Sequence, residues 1–327
     1  MNDKGAAAMG HPGRLRIAVL MGGTSSEREI SLRSGAAVAA ALRARGHDVV
    51  PVDIRTETGR ELDGLKIDVA FVALHGRFGE DGRLQAILQS RGIPYTGSGP
   101  EASRAAMDKV EAKRLFKLRG VETPPHRVIL RGESPALWEQ CARALGYPVV
   151  VKPSAEGSSV GVTVHEDRST LLDGAAEAFR HGPVALMEKF IRGTELTVGI
   201  LEGRALPIIE LRPRSRFFDY KAKYQDPETL YVVDPPLSEL DKRRVQKAAR
   251  EAHEALGCEG MSRVDLILTP FCAVHVLEVN TIPGLTERSL LPKAARAAGI
   301  DFPELCERIV QTAFKRRQGG FWAAAML

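Results

Sequence analysis

Toward the C-terminal end, Asp265, Glu278 and Asn280 lie on two β-rich runs, Val264–Leu268 and Ala273–Asn280, parted by a short turn containing Pro270. This pattern predicts a β-hairpin. Side chains alternate along a strand, so Glu278 and Asn280 share one face and Val279 takes the other. Folding the hairpin about Phe271 brings Asp265 to within about one residue of Glu278 across the ladder. Two carboxylates and an amide oxygen then converge, and hard oxygen donors of this kind hold Mg²⁺ beside a substrate phosphate. The competing reading is a hairpin with two solvated acids. Asn280 leads directly into TIPGLT, where Pro283 and Gly284 provide a rigid bend and a close backbone approach.

Other segments carry groups suited to a polyphosphate. Lys152 sits in the strand-like run Tyr147–Pro153, ahead of the Gly/Ser-rich loop SAEGSSVG, which runs from Ser154 to Gly161 and precedes Val162–His165. A loop of this composition between two strands can fold over phosphates through backbone N–H groups and hydroxyls. It differs from GxxxxGK[ST], which joins a strand to a helix. Lys109 falls on a helix predicted to start around Ser103, where a lysine also reads as an ordinary solvated charge. The predicted strand Val184–Phe190 turns Glu188 away from Met187 and Lys189, and Glu195 follows seven residues later. Adenine needs backbone amide partners and ribose a carboxylate acceptor, and this segment has both. A strand edge guarded by charges is the alternative. His75 ends the buried run Asp68–Leu74 and opens HGRFGEDG, at the strand end where open parallel sheets bind ligands; a purely structural histidine is the other reading.

The elements that must position these groups follow a β-turn-α-β order at the start of the chain. Arg16–Met21 is a buried strand, and Ser25 or Ser26 is expected to cap a helix with Glu27 and Glu29 in its first turn. That helix ends near Gly46, and Asp48–Ile54 is the next strand. The order predicts an open parallel α/β sheet, although GGTSSE lacks the third glycine of a dinucleotide fingerprint. Residues 212–237 hold charges, aromatics and prolines without a period, and are expected to form a long lid-like loop. Helices are expected over SELDKRRVQKAAREAHEALG, LPKAARAAG and FPELCERIVQTAFKRR. Residues 1–13 read as a disordered leader and the last ten as a frayed tail.

The 327 residues are enough for two or three domains. With 44% hydrophobic and 27% charged residues, the composition is that of a globular protein. No run of about 18 apolar residues could span a membrane, and the N-terminus lacks a secretory apolar core. Cys141, Cys258, Cys272 and Cys306 form no CxxC pair, which fits reduced thiols in a cytosolic chain. The net charge of +5 is modest, and basic residues alternate with acids along the helices instead of forming the basic face of a nucleic-acid binder.

In sequence order, GGTSSEREISL, LHGRFGEDG, YTGSG, MDK, VVVKPSAEGSSVGV, MEKFIRGTELTV, FDYKAKY, SRVDL and LEVNTIPGLTERSLLPKAA resemble the D-alanine–D-alanine ligases of the ATP-grasp superfamily. The resemblance runs from about Arg16 to Arg316. It implies an α/β fold of three domains: an N-terminal open parallel α/β substrate domain at 14–106, a central ATP-grasp domain at 107–194, and a C-terminal domain at 195–317 with the metal hairpin and lid. It implies that ATP phosphorylates one D-alanine carboxylate and the amine of a second D-alanine then displaces phosphate, for peptidoglycan precursor synthesis. A carboxylate is a poor acyl donor, and the mixed anhydride makes its carbon attackable. By the same resemblance Lys109, Lys152, Glu188, Lys189, Ile191, Glu195 and Lys223 bind ATP. Two Mg²⁺, replaceable by Mn²⁺, sit on Asp265, Glu278 and Asn280. Glu27 pairs with the first D-alanine ammonium, Ser158 and Tyr224 hydrogen-bond with Glu27 to pin the lid, and His75 helps position that substrate. Arg263 and the Gly284 N–H form the oxyanion site, while Ser289, Lys223 and Leu290 serve the second substrate. A cytoplasmic homodimer is implied, with no nucleic-acid or membrane partner.

Two departures fall on the lid: Lys221 replaces an acid common in relatives, and YVVDPPL lacks a cysteine often found there. Tyr224 favours the dipeptide, because relatives that make D-alanyl-D-lactate lack tyrosine at that position. The rivals are another ATP-grasp ligase, such as a D-alanine–D-lactate ligase, and a non-catalytic nucleotide module. The first would not need Glu27 or Tyr224. The second would be expected to have lost a metal ligand, and none is missing.

Overall fold

The computed structural model describes residues 13–157, 159–212 and 230–318. Its strands are β1 (Arg16–Gly22), β2 (Asp48–Ile54), β3 (Val69–Val72), β4 (His126–Leu130), β5 (Val149–Pro153), β6 (Thr163–His165) and β7 (Val184–Lys189). They continue as β8 (Thr194–Leu201), β9 (Arg204–Ala205), β10 (Ile209–Arg212), β11 (Leu230–Val233), β12 (Met261–Leu268) and β13 (Val274–Asn280). The helices begin with α1 (Arg28–Ala44), α2 (Arg83–Ser90), α3 (Pro100–Met107), α4 (Lys109–Leu118) and α5 (Pro135–Leu145). They end with α6 (Leu171–Arg180), α7 (Glu239–Ala255), α8 (Leu290–Ala297) and α9 (Phe302–Gln318).

As the β-turn-α-β order predicts, β2-β1-β3 form a parallel sheet. Ile17 to Leu20 and Val69 to Val72 are wholly buried, as parallel strands covered on both faces require. α9 joins this N-terminal core across nearly the whole chain: Leu305, Ile309 and Val310 pack in the same cluster as Val19, Leu42 and Phe71. Beside them His47 Nε2 meets Glu307 Oε2 at 2.6 Å, both side chains buried. The expected start of α1 needs correction. Glu27 occupies the N-cap position instead of the first turn, and neither Ser25 nor Ser26 caps the helix. Ser25 Oγ accepts from the Glu27 N–H (3.2 Å) and donates to the His75 carbonyl (2.7 Å), so the turn after β3 holds that hydroxyl outside the helix.

The second sheet is antiparallel, ordered β4-β7-β5-β6, and shares a core with α5 and α6 through Ala142, Ala175 and Met187. The third runs β11-β10-β8-β12-β13, with β9 paired to β8. α4 and α7 cover one of its faces, where Phe116, Val245 and Ala249 meet Val264 and Leu266. The single helix expected to run from Ser103 through Lys109 is two helices, α3 and α4. Asp108 takes an extended conformation and accepts from the Val110 and Glu111 N–H groups (2.9 and 3.4 Å), a side-chain cap that starts a new helix. The irregular stretch expected over 212–237 is also shorter than read, because 230–233 form β11 against β10; residues 213–229, Lys221 among them, lie outside the described residues.

The metal hairpin forms, with Asp265 opposite Glu278, inside the one-residue margin expected, and Arg263 opposite Asn280. One residue further, Leu266 pairs with Val276, leaving Leu277 as an extra residue in β13. This bulge reverses the side-chain phase. Val276 and Val279 therefore both reach the core, while Glu278 and Asn280 share the cavity-facing side.

Candidate active site

On β12 the odd-numbered residues Arg263, Asp265 and Ile267 face the cavities and the even-numbered ones face the core. Arg263 clasps Asp265 through two parallel hydrogen bonds, Nε to Oδ1 (2.9 Å) and Nη2 to Oδ2 (2.8 Å), the strong bidentate form of the pair. From β8, Thr197 Oγ1 donates to the same Oδ1 at 2.6 Å. The expected oxyanion donor and the expected metal ligand are thus neighbours locked together. Asn280 Oδ1 accepts from the Ile282 N–H at 2.9 Å, which fixes the amide and leaves one lone pair.

Two cavities flank this hairpin. One, of about 770 Å³, is lined by Lys152, Lys189, Ile191, Glu195, Asp265 and residues of the 154–161 loop. The other, of about 860 Å³, is lined by Glu27, His75, Arg263, Asn280, Gly284, Ser289 and Leu290. Both fall in the range usual for small-molecule sites. Lys109, Glu156 and Glu278 line both, so the cavities adjoin there. At that junction Lys109 Nζ donates to the Glu156 carbonyl (2.6 Å) and lies 3.5 Å from Glu278 Oε2. Its backbone N–H donates to the Ser154 carbonyl at 2.8 Å, and Ser154 Oγ donates to Asp108 at 2.5 Å. Asp108 and Lys109, where the helix breaks, are therefore tied to Ser154 and Glu156 at the start of the phosphate-loop candidate.

Glu188 is buried between two lysines, 2.7 Å from Lys152 Nζ and 2.5 Å from Lys113 Nζ. Burial alone would raise its carboxyl, but the two ammonium charges outweigh that and hold it down at about 2. For Lys113 burial dominates and lowers the ammonium to about 8, against the pull of Glu188. Both groups are lowered, which favours the charged form of Glu188 between two cations and disfavours that of Lys113, whose burial outweighs its share of one carboxylate. Sequence reading misses Lys113. Its only signal is its place four residues after Lys109, on the same helix face.

In the second cavity His75 Nδ1 donates to the Ile282 carbonyl (3.2 Å) and Nε2 pairs with Ser34 Oγ (3.0 Å). Ser34, also unpredicted, accepts from the Leu285 N–H (3.4 Å), so it joins α1 to the turn after β13. Glu27 Oε2 lies so close to Gly76 that a Cβ there would come within 2.7 Å of it. Ser289 Oγ pairs with the Thr286 hydroxyl (2.8 Å) and N–H (3.2 Å) at the N-terminus of α8. A Cβ on Gly284 would approach Ser289 Oγ to 2.8 Å. Ser158, Lys223 and Tyr224 lie outside the described residues.

Among the described residues no three of His, Cys, Asp and Glu cluster as a metal cage. Two carboxylates and one amide oxygen instead fit an ion that completes its shell with phosphate oxygens, the usual habit of Mg²⁺. No helix among the described residues is long and apolar enough to cross a membrane.

Known proteins resemble this chain over most of its length. The family model for the D-ala D-ala ligase C-terminus matches residues 115–311, and that for the N-terminus matches 16–61 and 57–98. A D-alanine–D-alanine ligase of Anaeromyxobacter sp. (strain Fw109-5) is 48% identical over 298 residues, 91% of this chain and 96% of its own. The Bacillus anthracis D-alanine–D-alanine ligase complexed with ATP superposes with a TM-score of 0.83 at 36% identity, covering 93% of this chain and 99% of that one. The VanG D-Ala:D-Ser ligase of Enterococcus faecalis gives 0.80 at 29% identity, covering 92% and 99%.

Proposed function

The chain belongs to the D-alanine–D-alanine ligase family of ATP-grasp enzymes, and from that premise we propose how its residues join two D-alanines at the expense of ATP. The observation that carries the reading is Lys109, whose ammonium bridges the 154–161 loop and Glu278 where the two cavities adjoin. A phosphoryl group passing from nucleotide to carboxylate must cross such a point, and its charge must be met by fixed cations. Lys109 and Lys152 supply them. Lys189, Ile191 and Glu195 line the nucleotide cavity and hold adenine and ribose, with Glu188 behind them.

Asp265, Glu278 and Asn280 would hold Mg²⁺, two ions in our reading, with Mn²⁺ able to replace them. Bound there, the metal neutralises charge on the phosphates. In the second cavity Glu27 takes the first D-alanine ammonium and His75, steadied by Ser34, orients it. Arg263 and the Gly284 N–H face the oxyanion that forms when the second amine attacks the acyl phosphate. Ser289 and Leu290 position the second D-alanine, with Lys223 and Tyr224 completing the site from the lid. The chain divides at 14–106, 107–194 and 195–317, and the enzyme acts as a cytoplasmic homodimer.

The test is phosphate release with ATP and D-alanine, against L-alanine and D-lactate, with the product identified by mass. Release that depends on D-alanine, with a product of dipeptide mass, is expected. Equal release with L-alanine would overturn the reading.

A further inference from the structure

The Lys113–Glu188–Lys152 cluster holds more positive charge than an ion pair needs. The Lys113 side chain is wholly buried, with Nζ hydrogen-bonded to Thr123 Oγ1 at 2.5 Å, and Thr123 in turn donates to the Val276 carbonyl of β13. It therefore cannot reach a ligand in the cavity. Lys152 lines that cavity and in this structure spends its charge on Glu188. Among the described residues, His126 on β4 and Glu278 on β13 also interact with Lys113.

With Lys152 as its only partner, Glu188 would form a neutral pair. A polyphosphate could then recruit Lys152 only by leaving a buried carboxylate uncompensated, which is strongly unfavourable. Two lysines around one carboxylate remove that obstacle. We propose that Lys113 is a positioning residue, a permanent counter-cation that keeps Glu188 paired while Lys152 turns to the nucleotide phosphates. This rests on the nucleotide reading of the first cavity.

The experiment compares inhibition constants for ADP and adenosine in wild type, Lys113→Met, Lys113→Gln and Lys113→Arg, with unfolding temperatures measured alongside. Losing the counter-cation should weaken ADP by at least about tenfold in the Met and Gln variants, while adenosine, which has no phosphates, changes by less than about twofold. Arginine keeps the charge and should return ADP affinity to within about threefold of wild type. Should the Met variant not fold, the contrast between Gln and Arg decides in the same way. ADP and adenosine weakening together would mean a merely damaged pocket and overturn the proposal, as would unchanged ADP affinity. A wild-type enzyme that binds no ADP overturns the nucleotide reading along with it.

Discussion

Replacing Glu188 by glutamine should destabilise the protein more at neutral pH than in base. The substitution keeps size and removes the anion between two buried ammonium groups. Its magnitude can be worked from the structure. The carboxyl is held at about 2 against an ordinary 4.5, a difference of 2.5 that corresponds to roughly 3 kcal/mol at neutral pH. Breaking a buried pair by removing one partner costs about 3–5 kcal/mol, so the two routes agree. A depressed carboxyl contributes stability in full above its unfolded value near 4.5, and the contribution is lost as pH falls from there toward 2. In the variant the strain falls on Lys113. Its ammonium is already lowered to about 8 with Glu188 beside it, and loss of that carboxylate lowers it further, so in base Lys113 is neutral and no stranded charge remains. Urea unfolding of both proteins at about pH 7 and about pH 9.5 reads the effect: a loss of roughly 3 kcal/mol or more near neutrality, smaller in base. A loss below about 0.5 kcal/mol at neutral pH, the level of an ordinary surface substitution, would refute the reasoning. So would a loss identical at both pH values.

Glu278→Ala should abolish ATP turnover with the circular dichroism spectrum intact; retained turnover would refute the metal assignment. Gly284→Ala keeps the backbone N–H but places a Cβ 2.8 Å from Ser289 Oγ; by shifting that donor off the oxyanion it should lower kcat by up to about 10²-fold, the cost of losing an oxyanion donor. Its KM for ATP should hold, and a change confined to that KM would count against the oxyanion role. Tyr224→Phe should let D-lactate compete as second substrate, read by product mass, and an unaltered product spectrum would refute Tyr224 as the discriminating side chain.

Much of this site could be read from residue order because its parts obey strand alternation. Glu278 and Asn280 share a face as the two-residue period requires, but the short turn alone would set Leu277 opposite Asp265, and only the bulge there brings Glu278 to that place. The bulge at Leu277 was not legible, since a one-residue phase change leaves no mark in a run as uniform as VHVLEVN. The break at Asp108 was hidden for the opposite reason: an aspartate within a helical pattern reads as helix until Ser154 is seen to hold its side chain. Lys113 and Ser34 were missed because their importance lies in burial, and burial of a helix lysine or serine depends on elements more than a hundred residues away for Val276 and Leu285. The exchange of roles at Glu27, from first turn to N-cap, came from Ser25 being engaged by the His75 carbonyl.

The packing of α9 into the first sheet also bears on how the chain is made. Residues 16–72 leave the ribosome well before Leu305, Ile309 and Val310, which cover part of their apolar surface. A nascent chain must carry that surface bare until those residues are made, a period in which chaperones and aggregation compete for it. The first sheet can be sealed, and the His47–Glu307 contact made, only once α9 has cleared the exit tunnel.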